Sequence, residues 1–409
     1  MERTTCCVIG GGPAGMVLGL LLARAGVEVT VLEKHGDFLR DFRGDTVHPT
    51  TLQLLDDLGL AERFAELPQR RLSQVQLPIG PAGELFTFGD FKALKAKYNY
   101  IAMVPQWDFL DMLADAGKQE PTFTLRMNTE ATELIRERGR VNGVRYRTAD
   151  GETGELRATI TVACDGRKSF VREMPELGLQ DFPTPMDVRW FRVPRQAGDP
   201  AGGIGLIRER TFTAMFDRGD YFQVASIIGK GTDAEGRSRP IEELNERLAR
   251  FFPWLAGRDL VRSWDDVKVL HVTLDRLRKW HVPGLLCIGD AAHAMSPVGG
   301  IGINLAVQDA VAAARHLAGP LREGRLERRH VAAVQRRRWP TTVLIQRLQR
   351  VIHENVISPA LRGEIDFGDT ARLPLPLRAV SNVPWLRRIP AYVLAYGAVR
   401  ERPPKAALR

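Results

Sequence analysis

The run Thr5-Cys6-Cys7-Val8-Ile9-Gly10-Gly11-Gly12-Pro13-Ala14-Gly15 places a short apolar segment directly before closely spaced glycines. An apolar helical stretch continues through Ala25, and a second apolar segment, 27–32, ends in Glu33. This is a G-x-G-x-x-G motif between a strand and a helix, with an acid 18 positions after its last glycine. The pattern predicts a Rossmann-like unit that holds a dinucleotide pyrophosphate at the helix N-terminus. The acid favours an unphosphorylated ribose, hence FAD or NAD over NADP.

A second segment couples an acid to a glycine-rich helix start: Gly289-Asp290-Ala291-Ala292-His293-Ala294-Met295-Ser296-Pro297-Val298-Gly299-Gly300-Ile301-Gly302-Ile303-Asn304. It follows the apolar run 285–288, which has the length of a strand buried on both faces. Asp290 then lies at the carboxyl end of that strand, where ligands bind in open α/β sheets. A helix start after the glycines would stabilise negative charge on a ligand. An aspartate also caps turns well, and that simpler role stays open for Asp290.

The third segment, 159–172, is an apolar run that leads into Cys164-Asp165-Gly166-Arg167. The order of the three segments resembles the FAD-dependent aromatic hydroxylases of the para-hydroxybenzoate hydroxylase type, the group A flavoprotein monooxygenases. The resemblance covers residues 1 to about 330. It implies an α/β chain with a Rossmann-like FAD-binding domain, an inserted and mostly antiparallel β-sheet substrate domain, and a helical C-terminal tail.

Residue by residue, the resemblance implies roles in cofactor binding. Pro297 and Gly300 would form the environment of the flavin ring, and no general base is assigned. The full cofactor set is Gly10, Gly12, Pro13, Ala14, Gly15, Glu33, Arg43, Gln106, Asp165, Asp290, Pro297, Gly300, Ile301 and Gly302. Arg43 is also explained as an ordinary surface arginine. Gln106 is also explained as an ordinary polar residue ahead of a helix. His293 is better explained as a histidine packed beneath a turn, with hydrogen bonds to backbone groups, than as a catalytic base.

Two insertions, 72–103 and 181–277, alternate polar and apolar residues and predict strands of one mostly antiparallel sheet. We therefore expect a substrate-binding domain from these two segments. The expected FAD-binding domain is formed by residues 1–71, 104–180 and 278–330, and a C-terminal helical region by 331–409. In the family such a sheet covers the flavin and holds the substrate. Candidate pocket residues are Val47, Trp190, Met215 and Phe222, although aromatic strand residues are more often plain core.

Composition agrees with a globular enzyme, since 44% of residues are hydrophobic and 26% are charged. No run of 18 or more uncharged apolar residues and no signal-peptide pattern occurs, so we expect a cytoplasmic protein. The cysteines all fall in apolar strand segments, which predicts core residues and neither disulfides nor metal ligands. They are Cys6, Cys7, Cys164 and Cys287.

The formal net charge of +9 is concentrated near the end of the chain. Residues 321–409 hold 18 Lys and Arg against 7 Asp and Glu. Segment 383–396 mixes basic and aromatic residues, which suits peripheral contact with a membrane. Helices packed on the FAD domain with a solvated basic face are the favoured explanation of the charge. No recognition motif accompanies it, so nucleic acid is not expected. The oligomeric state is left open.

The resemblance implies a monooxygenase that uses NADPH or NADH as a transient co-substrate and O2 as the oxidant. Through a flavin C4a-hydroperoxide it would hydroxylate an aromatic or polycyclic small molecule, such as a phenol, a quinone precursor or a polyketide. Gly202-Gly203-Ile204-Gly205 lacks the spacing and flanking elements of a second nucleotide motif, which disfavours a two-dinucleotide reductase. Three alternatives stay open: a geranylgeranyl-reductase-like or other FAD-dependent oxidoreductase, a flavin-dependent halogenase, and a non-catalytic flavin-binding regulator. The W-x-W-x-I-P motif of the halogenases is absent.

Overall fold

The computed structural model describes residues 2–39, 46–79, 84–365, 392, 395 and 400–408. The strands in these ranges are β1 Glu2–Ile9, β2 Val29–Leu32, β3 Thr46–Val47, β4 Arg70–Leu72, β5 Gln74–Ile79, β6 Glu84–Asp90, β7 Ile101–Met103, β8 Phe123–Arg126, β9 Thr129–Glu137, β10 Arg140–Thr148, β11 Thr153–Ala163, β12 Leu179–Phe182, β13 Met186–Pro194, β14 Gly203–Arg208, β15 Thr211–Asp217, β16 Tyr221–Gly229, β17 Lys268–Leu270, β18 Leu274–Leu277, β19 His281–Val282, β20 Leu285–Cys287 and β21 His293–Ala294. The α-helices are α1 Pro13–Arg24, α2 Pro49–Asp57, α3 Ala61–Ala65, α4 Gln106–Lys118, α5 Asp233–Arg237, α6 Ile241–Phe251, α7 Gly302–Arg322, α8 Arg328–Ile352 and α9 Ser358–Arg362, and a π-helical turn, His353–Ile357, joins the last two.

A parallel sheet forms the centre of the first layer, with strand order β20-β11-β1-β2-β8. Strand β19 adds an antiparallel edge, and β10 and β9 extend the sheet from β11. The apolar halves of β1 and β11 are buried on both faces, as expected for strands covered by helices. Because the central strands are parallel, their carboxyl ends meet at one edge of the sheet.

Helices α1 and α7 pack together over this sheet, and α8 packs on α7. Every residue of α1 from Ala14 to Ala23 is buried, and Pro13 occupies its first turn, where no backbone N–H is needed. The four cysteines are buried here as well, which confirms their assignment to the core.

The second sheet has the order β17-β13-β16-β15-β14-β5-β6 and draws strands from both insertions. Its pairs are antiparallel except for the β14–β5 contact. One face is covered by α6, and the other packs against Val298 and the C-terminal helices. The predicted fold class is confirmed: a Rossmann-like unit, an inserted and mostly antiparallel sheet, and a helical C-terminal region. The domain boundaries stay a prediction.

No helix within the described residues combines the length and apolarity needed to cross a membrane.

Candidate FAD and substrate site

Four adjacent parallel strands end in residues that the sequence singles out. β1 leads into Gly10, β2 into Glu33, β11 into Asp165 and β20 into Asp290. These residues come from four separate stretches of the chain, and the sheet order brings them to one edge. This edge is the usual ligand position in open α/β sheets.

Glycine is present at each position of the first loop for a different physical reason. Gly10 has φ +97°, and a Cβ there would lie 2.7 Å from Cys164 O. A Cβ on Gly15 would lie 2.0 Å from Gly10 O, so helix and strand need both glycines to pack. A Cβ on Gly12 would meet nothing within 4 Å. Gly12 therefore borders open space at the N-terminus of α1, where backbone N–H groups attract an anion such as a pyrophosphate.

Glu33 is held against this glycine loop. Its Oε2 accepts a hydrogen bond from Gly11 N at 2.8 Å, and its Oε1 accepts one from His35 N at 3.1 Å. Only 7% of the residue is exposed. The carboxylate is thus fixed beside the loop, as expected of an acid that binds a ribose.

Asp165 is held where its charge is disfavoured. Burial raises the pKa of its carboxyl to about 6, although a hydrogen bond with Ser169 acts in the opposite direction. Within the described residues Oδ1 of Asp165 is buried without a hydrogen-bond partner. A buried acid with an unsatisfied oxygen is typical of a functional site, because the fold alone gains nothing from it. This oxygen and the open space at Gly12 both fit FAD, which carries hydroxyl groups and a pyrophosphate.

Asp290 forms an ion pair that the sequence did not indicate. Arg167 Nε lies 3.0 Å from Asp290 Oδ2, and both side chains are about one-third exposed. The carbonyl of Arg167 accepts a hydrogen bond from Arg172 Nη1 at 2.9 Å, and Arg172 is buried in an ion pair with Asp275. Arg172 therefore supports the loop that carries Arg167. The only sequence signal for Arg167 is its place two residues after Asp165.

The glycine turn before α7 is pinned to the segment around β3. Gly300 has φ +61°, its N–H donates to Pro297 O at 3.0 Å, and a Cβ on it would lie 3.0 Å from Thr46 Oγ1. Its carbonyl accepts hydrogen bonds from Thr46 Oγ1 at 2.8 Å and His48 Nε2 at 2.9 Å. Glycine is thus required here for both conformation and space. Gly302 begins α7, and Ile301 is buried beside it.

Sequence reasoning missed a second link between the same segments. Asn304 Oδ1 accepts hydrogen bonds from Thr50 Oγ1 at 2.7 Å and Thr51 Oγ1 at 3.0 Å, and Gln308 Nε2 donates to Thr50 Oγ1 at 3.0 Å. Asn304 ends the glycine-rich motif, which was the one available signal. The start of α2 is thereby fixed against the start of α7.

The remaining predicted cofactor residues have mixed positions. Pro13 and Ala14 lie in the first turn of α1, and Ala14 Cβ is 3.2 Å from the position of a Cβ on Gly289, so the glycine loop and the Asp290 turn are in contact. Gln106 is the first residue of α4, which packs on α1. Arg43 lies outside the described residues. The cofactor roles of Pro13, Ala14, Gln106 and Arg43 stay predictions.

The candidate substrate residues lie on different faces. Trp190 packs against the cluster that also contacts Val298, next to the glycine turn. Met215 and Phe222 belong to the opposite face, under Leu244 and its neighbours in α6. Val47 is buried in the core of the FAD-binding unit. The structure thus brings Trp190, and not Met215 or Phe222, to the side of the sheet that packs on the turn.

His293 is a packed histidine, as the sequence analysis favoured over a catalytic base. It is 1% exposed, and its Nε2 lies 2.6 Å from Asp309 Oδ2. Its partner is a buried carboxylate, not the backbone groups that we expected.

The FAD binding domain family matches residues 3–347. The 6-methylpretetramide 4-monooxygenase of Streptomyces rimosus is 34% identical over 356 residues, which cover 85% of this chain and 83% of that protein. A 12-dehydrotetracycline 5-monooxygenase/anhydrotetracycline 6-monooxygenase of S. rimosus is 29% identical over 76% of this chain, which spans 61% of that relative's length. The crystal structure of p-nitrophenol 4-monooxygenase PnpA from Pseudomonas putida DLL-E4 has a TM-score of 0.78 at 21% identity and covers 97% of this chain and 100% of its own. The chain therefore belongs to the FAD-dependent aromatic hydroxylases, the family that its three sequence motifs predicted.

Proposed function

We propose that this FAD-dependent monooxygenase hydroxylates a flat, polycyclic aromatic substrate of polyketide type. The substrate would lie between the Pro297–Gly300 turn and the face of the second sheet that carries Trp190. Support comes from the shape of that face and from the relative at 34% identity, a 6-methylpretetramide 4-monooxygenase. The observation that carries the proposal is that Trp190 and Val298 pack against the same apolar cluster.

A row of small residues crosses this face beside Trp190. The strand register aligns Trp190 with Ala225, Ala225 with Ala214, and Ala214 with Gly205. Phe212 and Phe216 lie two residues to either side of Ala214 and therefore on the same face. The small row between larger side chains forms an apolar surface suited to a fused ring system.

Trp190 adds a polar group to this surface. Its Nε1 is buried and has no hydrogen-bond partner within the described residues. Buried indole N–H groups normally have an acceptor, and a substrate carbonyl or hydroxyl oxygen would supply one. Polyketide ring systems carry such oxygens, whereas a hydrocarbon does not.

When bound, FAD supplies the redox chemistry, with electrons from NADPH or NADH and oxygen from O2. The chain contributes position and electrostatics. The start of α7 favours negative charge near the turn, and Asp165, Asp290 and Glu33 would hold the cofactor along the sheet edge. The Trp190 face and the turn would exclude water from the reacting atoms. No titratable side chain is assigned as a base.

The test is a panel of substrates offered to the purified holoenzyme with NADPH and with NADH. Fused-ring phenols and single-ring phenols are compared for stimulation of nicotinamide oxidation and for hydroxylated product. We expect stimulation and coupled hydroxylation with the fused-ring compounds. Efficient hydroxylation of single-ring phenols alone would contradict the proposed substrate class, and a product that gains two hydrogens without oxygen would favour a reductase.

The predicted membrane contact concerns segment 383–396, of which only Tyr392 and Ala395 are described. Arg338, from the basic run 336–338, is fully buried and so unavailable to a lipid surface. We keep peripheral contact as a prediction for the rest of the tail. Binding to anionic vesicles that weakens as salt rises would support it, because salt screens exposed charges over about 10 Å at 0.1 M. Equal binding to neutral vesicles would contradict it.

A further inference from the structure

Helix α8 and the π-helical turn after it carry a buried polar face. Arg338, Thr342, Gln346, Gln349 and His353 follow each other at intervals of three or four residues and are at most 2% exposed. From the sequence alone, such a row of polar side chains predicts a helix face that is exposed to solvent. Burial of polar groups is unfavourable unless they form hydrogen bonds. Thr342 Oγ1 has no partner among the described residues, but the other four side chains have specific partners.

The partners of Gln349 are the backbone groups on both sides of Pro297. Its Oε1 accepts from Ser296 N at 3.1 Å. Its Nε2 donates to Ser296 O at 2.9 Å and to Val298 O at 3.0 Å. One amide thus forms three hydrogen bonds to the residues before and after the proline.

The neighbours of Gln349 on the same face contact the same segment. Gln346 Nε2 donates to Ala294 O at 3.2 Å, and His353 Nε2 lies 2.8 Å from Ser296 Oγ. Ser296 Oγ also accepts from Val298 N at 3.3 Å. The side chains of Gln346, Gln349 and His353 therefore follow residues 294–298 step by step. Their helix defines the path of the chain into the glycine turn.

We propose that Gln349 is a positioning residue for the flavin ring. It fixes the backbone around Pro297 and so sets the distance and tilt of the Pro297–Gly300 turn relative to the ring. This inference rests on the proposed place of that turn beside the flavin. It makes the C-terminal helix part of the oxygenation site and gives its buried polar face a function.

The chain provides a matched control on the same helix. Gln335 Oε1 accepts from Trp280 N at 3.0 Å, and its Nε2 donates to Arg278 O at 2.9 Å. This amide connects α8 to the segment before β19, and neither of its two hydrogen bonds involves residues 294–298. Gln335→Met and Gln349→Met therefore remove the same kind of interaction from two places.

The experiment measures three properties of both variants. They are the visible spectrum and reduction potential of bound FAD, the Kd of the apoprotein for FAD, and the midpoint of thermal unfolding of the apoprotein. Both variants should lower the midpoint. Only Gln349→Met should shift the absorption bands and the reduction potential of the flavin. It should also raise the Kd for FAD about tenfold, which is the effect of one or two lost hydrogen bonds. Wild-type flavin properties in Gln349→Met, or the same shifts in Gln335→Met, would overturn the proposal.

Gln349→Asn is the second variant if Gln349→Met does not fold. It keeps the amide but shortens the side chain by one methylene, so it cannot keep all three bonds to Ser296 and Val298, and we expect a smaller shift of the flavin bands in the same direction. An unchanged spectrum and potential would count against the proposal. None of these measurements uses a substrate. An error in the proposed substrate class would leave the flavin shifts in place, whereas an error here would leave hydroxylation of fused-ring substrates intact.

Discussion

His293 and Asp309 form a buried pair whose Nε2 and Oδ2 atoms are 2.6 Å apart. The same Oδ2 accepts from Gly289 N at 3.1 Å, and Oδ1 accepts from Arg338 Nε at 2.8 Å. Asp309 therefore connects the strand end that carries Asp290 with α7 and α8. Burial acts to raise the pKa of Asp309, but the charges and hydrogen bonds of His293 and Arg338 outweigh it and lower that pKa.

Asp309→Asn should lower the free energy of unfolding by about 3 kcal/mol at pH 7, because it removes the carboxylate that pairs with both His293 and the buried guanidinium of Arg338 and leaves Glu401, at 3.3 Å, as the remaining carboxylate partner of Arg338 among the described residues. The lowered pKa makes this contribution present above about pH 4 and lost as the pH falls through the pKa of the folded protein. Urea unfolding at pH 7 and in acid checks both points. Glu323→Gln, which removes an exposed acid after the same helix, should leave stability nearly unchanged, because an exposed ion pair contributes little. A loss as small as this control in Asp309→Asn would contradict the role of the pair.

Gly12→Val should yield a folded protein that does not retain FAD. The new side chain enters open space, so it blocks the approach of the pyrophosphate without a clash inside the protein. Gly15→Val is the comparison, because its Cβ would meet Gly10 O at 2.0 Å and should prevent folding. Circular dichroism and the yield of yellow protein distinguish the two variants. A Gly12→Val protein with a full complement of FAD would rule out this location for the pyrophosphate.

Asp165→Asn should make the FAD-free protein more stable at pH 8 but not at pH 4. Because burial raises the pKa of Asp165 to about 6, the wild type loses stability as the pH rises from the ordinary aspartate range through that value. The neutral amide avoids this loss, which we expect to be about 3 kcal/mol. Thermal midpoints of both apoproteins across this pH range provide the measurement. We also expect weaker FAD binding in the variant. If the stability of the two proteins changed with pH in the same way, the pKa of the Asp165 carboxyl would not be raised by the fold.

Trp190→Phe should raise KM for a fused-ring substrate about tenfold and leave FAD binding unchanged, since it removes one buried donor and keeps an aromatic ring. Met215→Ala, on the opposite face, should lower stability by about 2–5 kcal/mol and leave KM unchanged. Steady-state kinetics and chemical denaturation separate the two effects. An increase of KM in Met215→Ala alone would place the substrate on the α6 side of the sheet.

The parts of the fold that were predictable from the sequence are local. The segment from β1 to Glu33 carries its own strand, glycine and helix signals, and its elements have the expected order. Strands β5, β6 and β13 to β17 of the two insertions form one sheet, as the alternation of polar and apolar residues predicted. Strands β7 and β18, which also lie in the insertions, belong instead to two separate three-stranded sheets.

The parts that were not predictable depend on what lies opposite an element. Alternation places Trp190 and Phe191 on opposite faces but does not tell which face α6 covers. The polar residues of α8 indicate solvent exposure, although their partners are backbone groups of residues 294–298, far away in sequence. Arg167 likewise has significance only once β11 and β20 are adjacent.

We propose that the chain inserts one atom of O2 into an aromatic substrate at the Pro297–Gly300 turn. The most direct measurement is mass spectrometry of the product formed from a fused-ring phenol by the holoenzyme and NADPH under ¹⁸O2. We predict a product that has gained one ¹⁸O atom, formed in proportion to the NADPH consumed. A product without the label, or NADPH consumption that yields only hydrogen peroxide with every fused-ring phenol offered, would contradict hydroxylation of a fused-ring substrate by this chain.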